Sequence, residues 1–296
     1  MGSLQDLSNE LAALVERTSK SVVRVDARRG RAGTGVVWDA GLVVTADHVV
    51  VENEDSIEVN VNGKGNKATI VGRDPGTDLA LLRVDGLDAP AASAGKLTDL
   101  KIGNLVIALG RPGELHATMG VISSLSASFR SWRGGEIDHL IQTNAELLPG
   151  FSGGPLVDTQ GRVIGINSWH LGRGISRSIP VDTVARVTES LKTHGRIKRA
   201  YLGVGTQPVR LPDAVKGRAN QETGLLVVTV EAEGPAGKAG IMQGDTLVGL
   251  NGTPVRHLDD LFSALRKLEV GSTHKLKLVR AGELKEIGVT VGERER

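Results

Sequence analysis

Apolar residues along this chain fall into two kinds of pattern, and the switch between them outlines the architecture. Leu4, Leu7, Leu11, Leu14 and Val15 recur at helical spacing, which predicts one amphipathic helix over residues 3–18. Beyond it the apolar runs are short and rich in β-branched residues. They are Val22–Val25, Gly35–Trp38, Leu42–Val44, Ile57–Val61, Ala68–Val71, Leu79–Val84, Asn104–Leu109, Met119–Ile122, Leu140–Thr143, Pro155–Val157 and Val163–Asn167. Glycine, asparagine or aspartate separates most of them, as in strands joined by tight turns. Many short strands without helices between them predict an all-β barrel or sandwich rather than a parallel α/β sheet.

Helical spacing returns at Val181, Val184, Val187 and Leu191, with Pro180 at the start and Gly195 just past the end, so a helix is predicted over 180–194. The basic run Lys192, Arg196, Lys198, Arg199 reads as a solvated linker. A second unit opens near Ala200. Strands are predicted at Leu202–Thr206, Leu225–Val230, Thr246–Leu250, Lys275–Val279 and Glu286–Val291, with helices at Pro235–Ala239 and Leu258–Leu268. The expected organisation is therefore a mainly β domain over 1–197 and a small α+β module over 200–296.

Composition narrows the function classes. A chain of 296 residues suits two domains, and its formal net charge of +2 carries no electrostatic footprint of a nucleic-acid binder. Cysteine is absent, which excludes disulfides, thiol catalysis and thiolate metal sites. No run approaches the ~18 apolar residues of a membrane span. The first residues, Met1-Gly-Ser-Leu-Gln-Asp6, lack the basic start and apolar run of a secretory signal, so the chain as written reads as cytoplasmic.

Gly150-Phe-Ser-Gly-Gly-Pro155 is the sharpest local signal for chemistry. Glycines around a serine let the backbone turn tightly, expose the hydroxyl and free N–H groups to face an oxyanion. A serine needs a base, and the base needs an orienting group. Thr45-Ala-Asp-His48 supplies a histidine just after a predicted strand, and Asp74-Pro-Gly-Thr-Asp78 supplies an acid just before one. The motif also satisfies G-x-S-x-G of α/β-hydrolases, but those run Ser, Asp, His. Here the order is His48, Asp78, Ser152, as in chymotrypsin-like proteases, among short strands not interleaved with helices.

Thr45-Ala-Asp-His48-Val, Asp74-Pro-Gly-Thr-Asp78-Leu-Ala, Ile141-Gln-Thr-Asn-Ala and Gly150-Phe-Ser-Gly-Gly-Pro-Leu156 resemble the HtrA (Deg) family of serine proteases over nearly the whole chain. The resemblance implies a chymotrypsin-like double β-barrel followed by a PDZ domain. It implies His48 as general base, Asp78 as its orienter, Ser152 as nucleophile and an oxyanion hole from the N–H groups of Gly150 and Ser152, with no metal or cofactor. Leu148, Phe151, Ser168 and Trp169 would border the substrate site, with preference for small or medium aliphatic residues. Residues 125–138 would be a loop that senses the PDZ domain. In that domain Tyr201-Leu202-Gly203-Val204 would be the carboxylate-binding loop, and Leu258, Leu261 and Leu265 would line the peptide groove or pack the core.

The implied activity is degradation of unfolded or misfolded polypeptides, regulated by C-terminal peptides at the PDZ groove, in a homotrimer or higher oligomer. The family is usually periplasmic or otherwise extracytoplasmic. Two positions depart from the family pattern. Phe151 stands where most relatives have asparagine, and it leaves open a latent or inactive protease acting as a peptide-binding or chaperone-like protein. Ser176-Arg177-Ser178 stands where relatives tend to have Gly-Phe-Ala, so Arg177 either alters the pocket or faces solvent. Arg28–Thr34 is too short for the long protruding loop of some relatives, and the N-terminal helix lacks the aromatic residues that pack family trimers.

Overall fold

The computed structural model describes residues 4–27, 32–50, 57–126, 129–130, 136–137, 139–172, 174–197, 200–265 and 267–293. The chain forms two compact units, Met1–Ile197 and Lys198–Arg296.

In the first unit, helix α1 (Leu4–Ser19) leads into β1 (Val22–Asp26), β2 (Gly33–Asp39), β3 (Leu42–Thr45), β4 (Glu58–Val61), β5 (Lys64–Asp74) and β6 (Leu79–Val84). These strands close into an antiparallel barrel of order β1-β2-β3-β6-β5-β4. Alternate side chains of β1 to β4 fill its interior, with Val25, Val37, Val43 and Val59 buried together. Strands β7 (Leu105–Gly110) and β8 (His116–Leu125) follow, then the short hairpin β9 (Phe129–Arg130) and β10 (Glu136–Ile137). Next come β11 (Ile141–Thr143), β12 (Pro155–Val157), β13 (Val163–Asn167) and β14 (Arg177–Pro180). A second closed barrel has the order β11-β14-β13-β12-β7-β8. The unit is thus mainly β, with two six-stranded barrels.

A shared apolar layer joins the barrels. Val36, Leu42, Val44, Leu79 and Leu81 of the first pack in one cluster with Ile107, Leu109, Val157 and Ile166 of the second. Helix α2 (Val181–His194) closes this layer through Val184, Val187 and Leu191 and ends on Gly195 at φ 70°, whose N–H bonds Leu191 O. Only the C-terminal half of α1 packs: Leu14 is buried, whereas Leu4 is 88% exposed.

In the second unit, β15 (Ala200–Tyr201) precedes β16 (Val204–Arg210), α3 (Asp213–Ala219), β17 (Thr223–Val230), α4 (Pro235–Lys238), β18 (Thr246–Leu250) and β19 (Thr253–Pro254). Helix α5 (Leu258–Leu265), β20 (Thr273–Arg280), β21 (Glu283–Thr290) and β22 (Gly292–Glu293) complete it. The main sheet runs β16-β17-β18-β20-β21, with β19 paired to β18, so β16 is an edge strand.

Several elements differ from the pattern in the sequence. Strand β5 extends to both sides of Ala68–Val71 because the ladder to β4 and β6 recruits polar residues from Lys64 to Asp74. Strand β14 was not evident in the sequence, since Arg177 and Ser178 interrupt its apolar pattern; buried Ser178 donates from Oγ to Asn167 Oδ1 at 2.8 Å, while Ile179 joins the apolar layer. Helix α3 has one buried apolar residue, Val215, too few for a periodic signal. Helix α5 ends at Leu265, short of Leu268.

Candidate active site

Three local structures bring His48, Asp78 and Ser152 to one cleft. His48 lies in a single 3₁₀ turn, Asp47–Val49, directly after β3. That turn is anchored by buried Asp47, which accepts from Arg73 Nε at 2.7 Å, while Arg73 also donates to the carbonyls of Asp47 and Val50. Asp74 begins an Asx-type turn, accepting from Gly76 N–H at 3.1 Å and Thr77 Oγ1 at 2.7 Å. Asp78 then adopts φ 59°, a left-handed conformation that aspartate tolerates better than most residues.

This backbone aims the Asp78 carboxylate at His48. Its oxygens lie 2.8 and 2.9 Å from His48 Nδ1, and Oδ1 accepts the His48 backbone N–H at 3.1 Å. The buried Ser168 hydroxyl donates to Asp78 Oδ2. A carboxylate only accepts hydrogen bonds, so in the neutral imidazole Nδ1 carries the proton and Nε2 the lone pair.

Ser152 borders a cleft of about 760 Å³ together with Ala32, His48, Leu148, Pro149, Gly150, Trp169 and His170. Its Oγ accepts from the Trp169 N–H at 3.2 Å, and no hydrogen bond to His48 occurs among the described residues. Leu148 to Phe151 form a tight turn, with Phe151 N–H donating to Leu148 O at 3.0 Å and Gly150 at φ 86°. The Gly150 carbonyl is held by Thr34 Oγ1 at 2.6 Å, and Thr34 N–H donates to Ser152 O at 3.1 Å. Thr34 Oγ1 also accepts from the Arg111 N–H at 2.7 Å. Among the described residues, the N–H groups of Gly150 and Ser152 have no acceptor within the chain.

Not every residue expected near substrate reaches the cleft. Trp169 and Leu148 do. Phe151 is instead fully buried among Val106, Ile122, Ile141 and Leu156, its ring against Gly110, because a large aromatic side chain gains more inside the barrel than beside water. Ser168 is fully buried behind Asp78 and does not line the cleft. Arg177 takes neither expected place: it donates from its guanidinium to Leu171 O at 2.9 Å and is absent from the cleft wall. Most of the expected sensing loop, 125–138, and Arg28–Arg31 lie outside the described residues.

Two family models match the chain. Residues 33–166 match the trypsin-like peptidase domain and residues 200–291 match the PDZ domain. A curated relative named probable periplasmic serine endoprotease DegP-like, from Pseudomonas fluorescens, is 36% identical over 268 residues, covering 88% of this chain and 56% of that protein. A namesake from Halomonas elongata is 35% identical over 274 residues, covering 90% and 57%. The chain therefore spans about half the length of the curated relatives it matches. The crystal structure of the serine endoprotease from Yersinia pestis superposes with a TM-score of 0.79 at 30% identity, covering 97% of this chain and 98% of that one. The HtrA-type protease AlgW with tripeptide gives 0.77 at 29% identity, covering 96% and 97%. The chain belongs to the HtrA family.

The PDZ domain of this HtrA protein has its own candidate site. Tyr201 pairs with Gly292, Leu202 is buried, and Gly203 turns the chain at φ 77° into edge strand β16. The carbonyls of Leu202 and Gly203 accept from Ala236 and Glu231 at 2.8 and 2.9 Å, which holds the loop open toward β16. On α5, Leu261 and Leu265 are buried in the domain core. Leu258 and Phe262 remain half-buried and pack, like Val204 of β16, against the outside of that core. Phe262 was missed in the sequence because one aromatic in an apolar helix carries no sign of its direction. The same holds for Thr34 and His170, isolated polar residues whose partners lie far along the chain.

Proposed function

We propose that this chain is a serine endopeptidase in which Ser152 is the nucleophile, His48 the general base and Asp78 the group that orients it. Ser152 Oγ attacks the scissile carbonyl carbon as its proton passes to His48 Nε2. The developing oxyanion sits against the N–H groups of Gly150 and Ser152. His48 returns the proton to the departing amine; a water molecule, deprotonated by the same nitrogen, then attacks the acyl carbon, the bond to Ser152 Oγ breaks, and His48 gives the proton back to Oγ. The observation that carries this reading is the chain of Ser168, Asp78 and His48 contacts ending in the cleft that holds Ser152. In the resting chain Ser152 Oγ rests on the Trp169 N–H and swings to His48 when substrate enters.

The substrates are unfolded or misfolded polypeptides, and C-terminal peptides at the PDZ edge strand set the balance between resting and active states. A peptide carboxylate would meet the loop Tyr201–Val204 while its backbone extends along β16 past Leu258 and Phe262. We take residues 1–197 as the protease domain and 200–296 as the PDZ domain. The setting is extracytoplasmic, in keeping with relatives named as periplasmic, and the assembly a trimer or larger, as the family resemblance implies. The alternative of a latent protease has lost its motive, since Phe151 sits in the barrel core and, among the described residues, nothing accepts from the Gly150 and Ser152 N–H groups.

A fluorophosphonate probe tests the reading. It should label the parent chain and not Ser152→Ala, and casein should be cleaved only by the parent. Equal labelling of both proteins, or none with a PDZ peptide present, would overturn the assignment.

A further inference from the structure

Beside the catalytic histidine lies a second one that the proposed proteolysis does not use. His170 is exposed, one residue past Trp169, and borders the same cleft as His48. The two imidazole centroids are 3.9 Å apart with the rings inclined by 39°. Ligand atoms of His48, Asp78 and His170 all lie within 4.8 Å of one another.

The chemistry around His48 suits a metal ligand. Histidines that bind zinc characteristically give one nitrogen to the ion and donate the other N–H to a carboxylate, which fixes the ring and raises its basicity. Asp78 holds His48 Nδ1 in this way at 2.8 and 2.9 Å, leaving the lone pair on Nε2. Imidazole is a good donor for Zn(II) and its neighbours in the first transition row. Two nitrogens on one tetrahedral zinc, each at about 2.0–2.1 Å, stand roughly 3.3 Å apart. The ligand atoms already lie within 4.8 Å of one another, and His170 is exposed, so its side chain is the part that adjusts to reach that spacing.

We propose that His48 Nε2 and His170 form a two-histidine site for Zn(II), backed by Asp78, and that zinc bound there switches the protease off. Water or the Ser152 hydroxyl completes the coordination. The bound ion occupies the lone pair that must receive the Ser152 proton, and it fills the cleft between base and nucleophile. The inhibitory half of this proposal rests on the protease reading; the binding half does not.

The test separates the two. Full-length Ser152→Ala protein, which retains both histidines and cannot cleave itself, is titrated with Zn(II) by calorimetry and with Co(II) by visible absorption. One equivalent should bind, and His170→Ala and His48→Ala should each weaken it by about 10-fold or more. His170→Gln, which keeps a polar side chain, serves as a second variant, and thermal melting checks that each protein is folded. With the active chain, zinc should stop peptide hydrolysis, EDTA should restore it, and His170→Ala should need about 10-fold more zinc for the same effect. Unchanged Zn(II) affinity in both His170 variants, or in His48→Ala, would overturn the site. Normal one-site binding in a chain that hydrolyses no peptide even before zinc is added would uphold the site and overturn the protease reading instead.

Discussion

The hydroxyl of Thr34, at the start of the first barrel's β2, donates to the carbonyl of Gly150 beside the second barrel, across 116 residues of sequence, at 2.6 Å. The same oxygen accepts from the Arg111 N–H, so one buried side chain holds the turn that presents the proposed oxyanion donors. Removing the hydroxyl frees the Gly150 carbonyl and loosens the turn on either side of it, where the Gly150 and Ser152 N–H groups lie. Loss of one oxyanion donor costs ~10²–10³ in rate, so Thr34→Val should lower kcat about 100-fold with little change in KM. Thr34→Ser should retain most activity, and steady-state kinetics on a peptide substrate read both. Equal rates for Thr34→Val and the parent would detach Thr34 from catalysis.

Ser168 reaches the proposed base, His48, through Asp78. Its hydroxyl donates to the carboxylate oxygen that also faces His48 Nδ1. Ser168→Ala should lower kcat by roughly 10-fold, a modest effect because Asp78 keeps its other hydrogen bonds. Asp78→Asn presents an N–H where an acceptor is required and should cost about 10⁴ in kcat. Pre-steady-state acylation rates distinguish these effects from changes in product release.

Phe151 contributes packing. Phe151→Ala should destabilise the first unit by about 3–5 kcal/mol, as for other buried aromatics. Phe151→Asn restores the residue common among relatives, yet here it buries an amide among Val106, Ile122, Ile141 and Leu156, so it should lower stability without raising activity. Gly110→Ala probes the same contact from the other side, since a Cβ there would run into the Phe151 ring. It should destabilise by about 1–3 kcal/mol through overpacking. Urea unfolding followed by tryptophan fluorescence reports this unit, because Trp38 and Trp169 lie in it and residues 198–296 contain no tryptophan.

The PDZ domain should carry an acid-sensitive pair. Burial acts to raise the Asp245 carboxyl, but hydrogen bonds from Arg280 and the Met242 N–H outweigh it and hold the group below the ordinary carboxylate value. A carboxyl depressed in the folded state contributes stability that is present above its unfolded value, near ~3.9, and is lost as pH falls through the lower folded value. Protection of the β18 and β20 amides against hydrogen exchange in the full chain should therefore fall below about pH 4. Asp245→Asn should remove most of that dependence while destabilising the domain at neutral pH, because the buried carboxylate accepts from both Arg280 and the Met242 N–H. An unchanged acid profile in Asp245→Asn would assign the dependence elsewhere.

Alternation and turn residues were enough to predict most of the barrel strands and the helix ended by Gly195, since these depend on neighbours a few positions away. The order His48, Asp78, Ser152 was likewise legible, because the turns that expose each residue are local and use distinctive glycines, prolines and aspartates. The partners of those residues were not. Thr34 meets Gly150 and Ser168 meets Asp78 only after both barrels have closed, over separations of 116 and 90 residues. A single hydroxyl looks the same in sequence whether it faces water or a carbonyl in the core. Tertiary packing also put Phe151 inside the barrel, Leu261 and Leu265 in the PDZ core, and His170 against His48. The chemistry available to this chain is therefore written in its local motifs. The readiness of that chemistry depends on contacts whose energy exists only once distant strands exclude water around them.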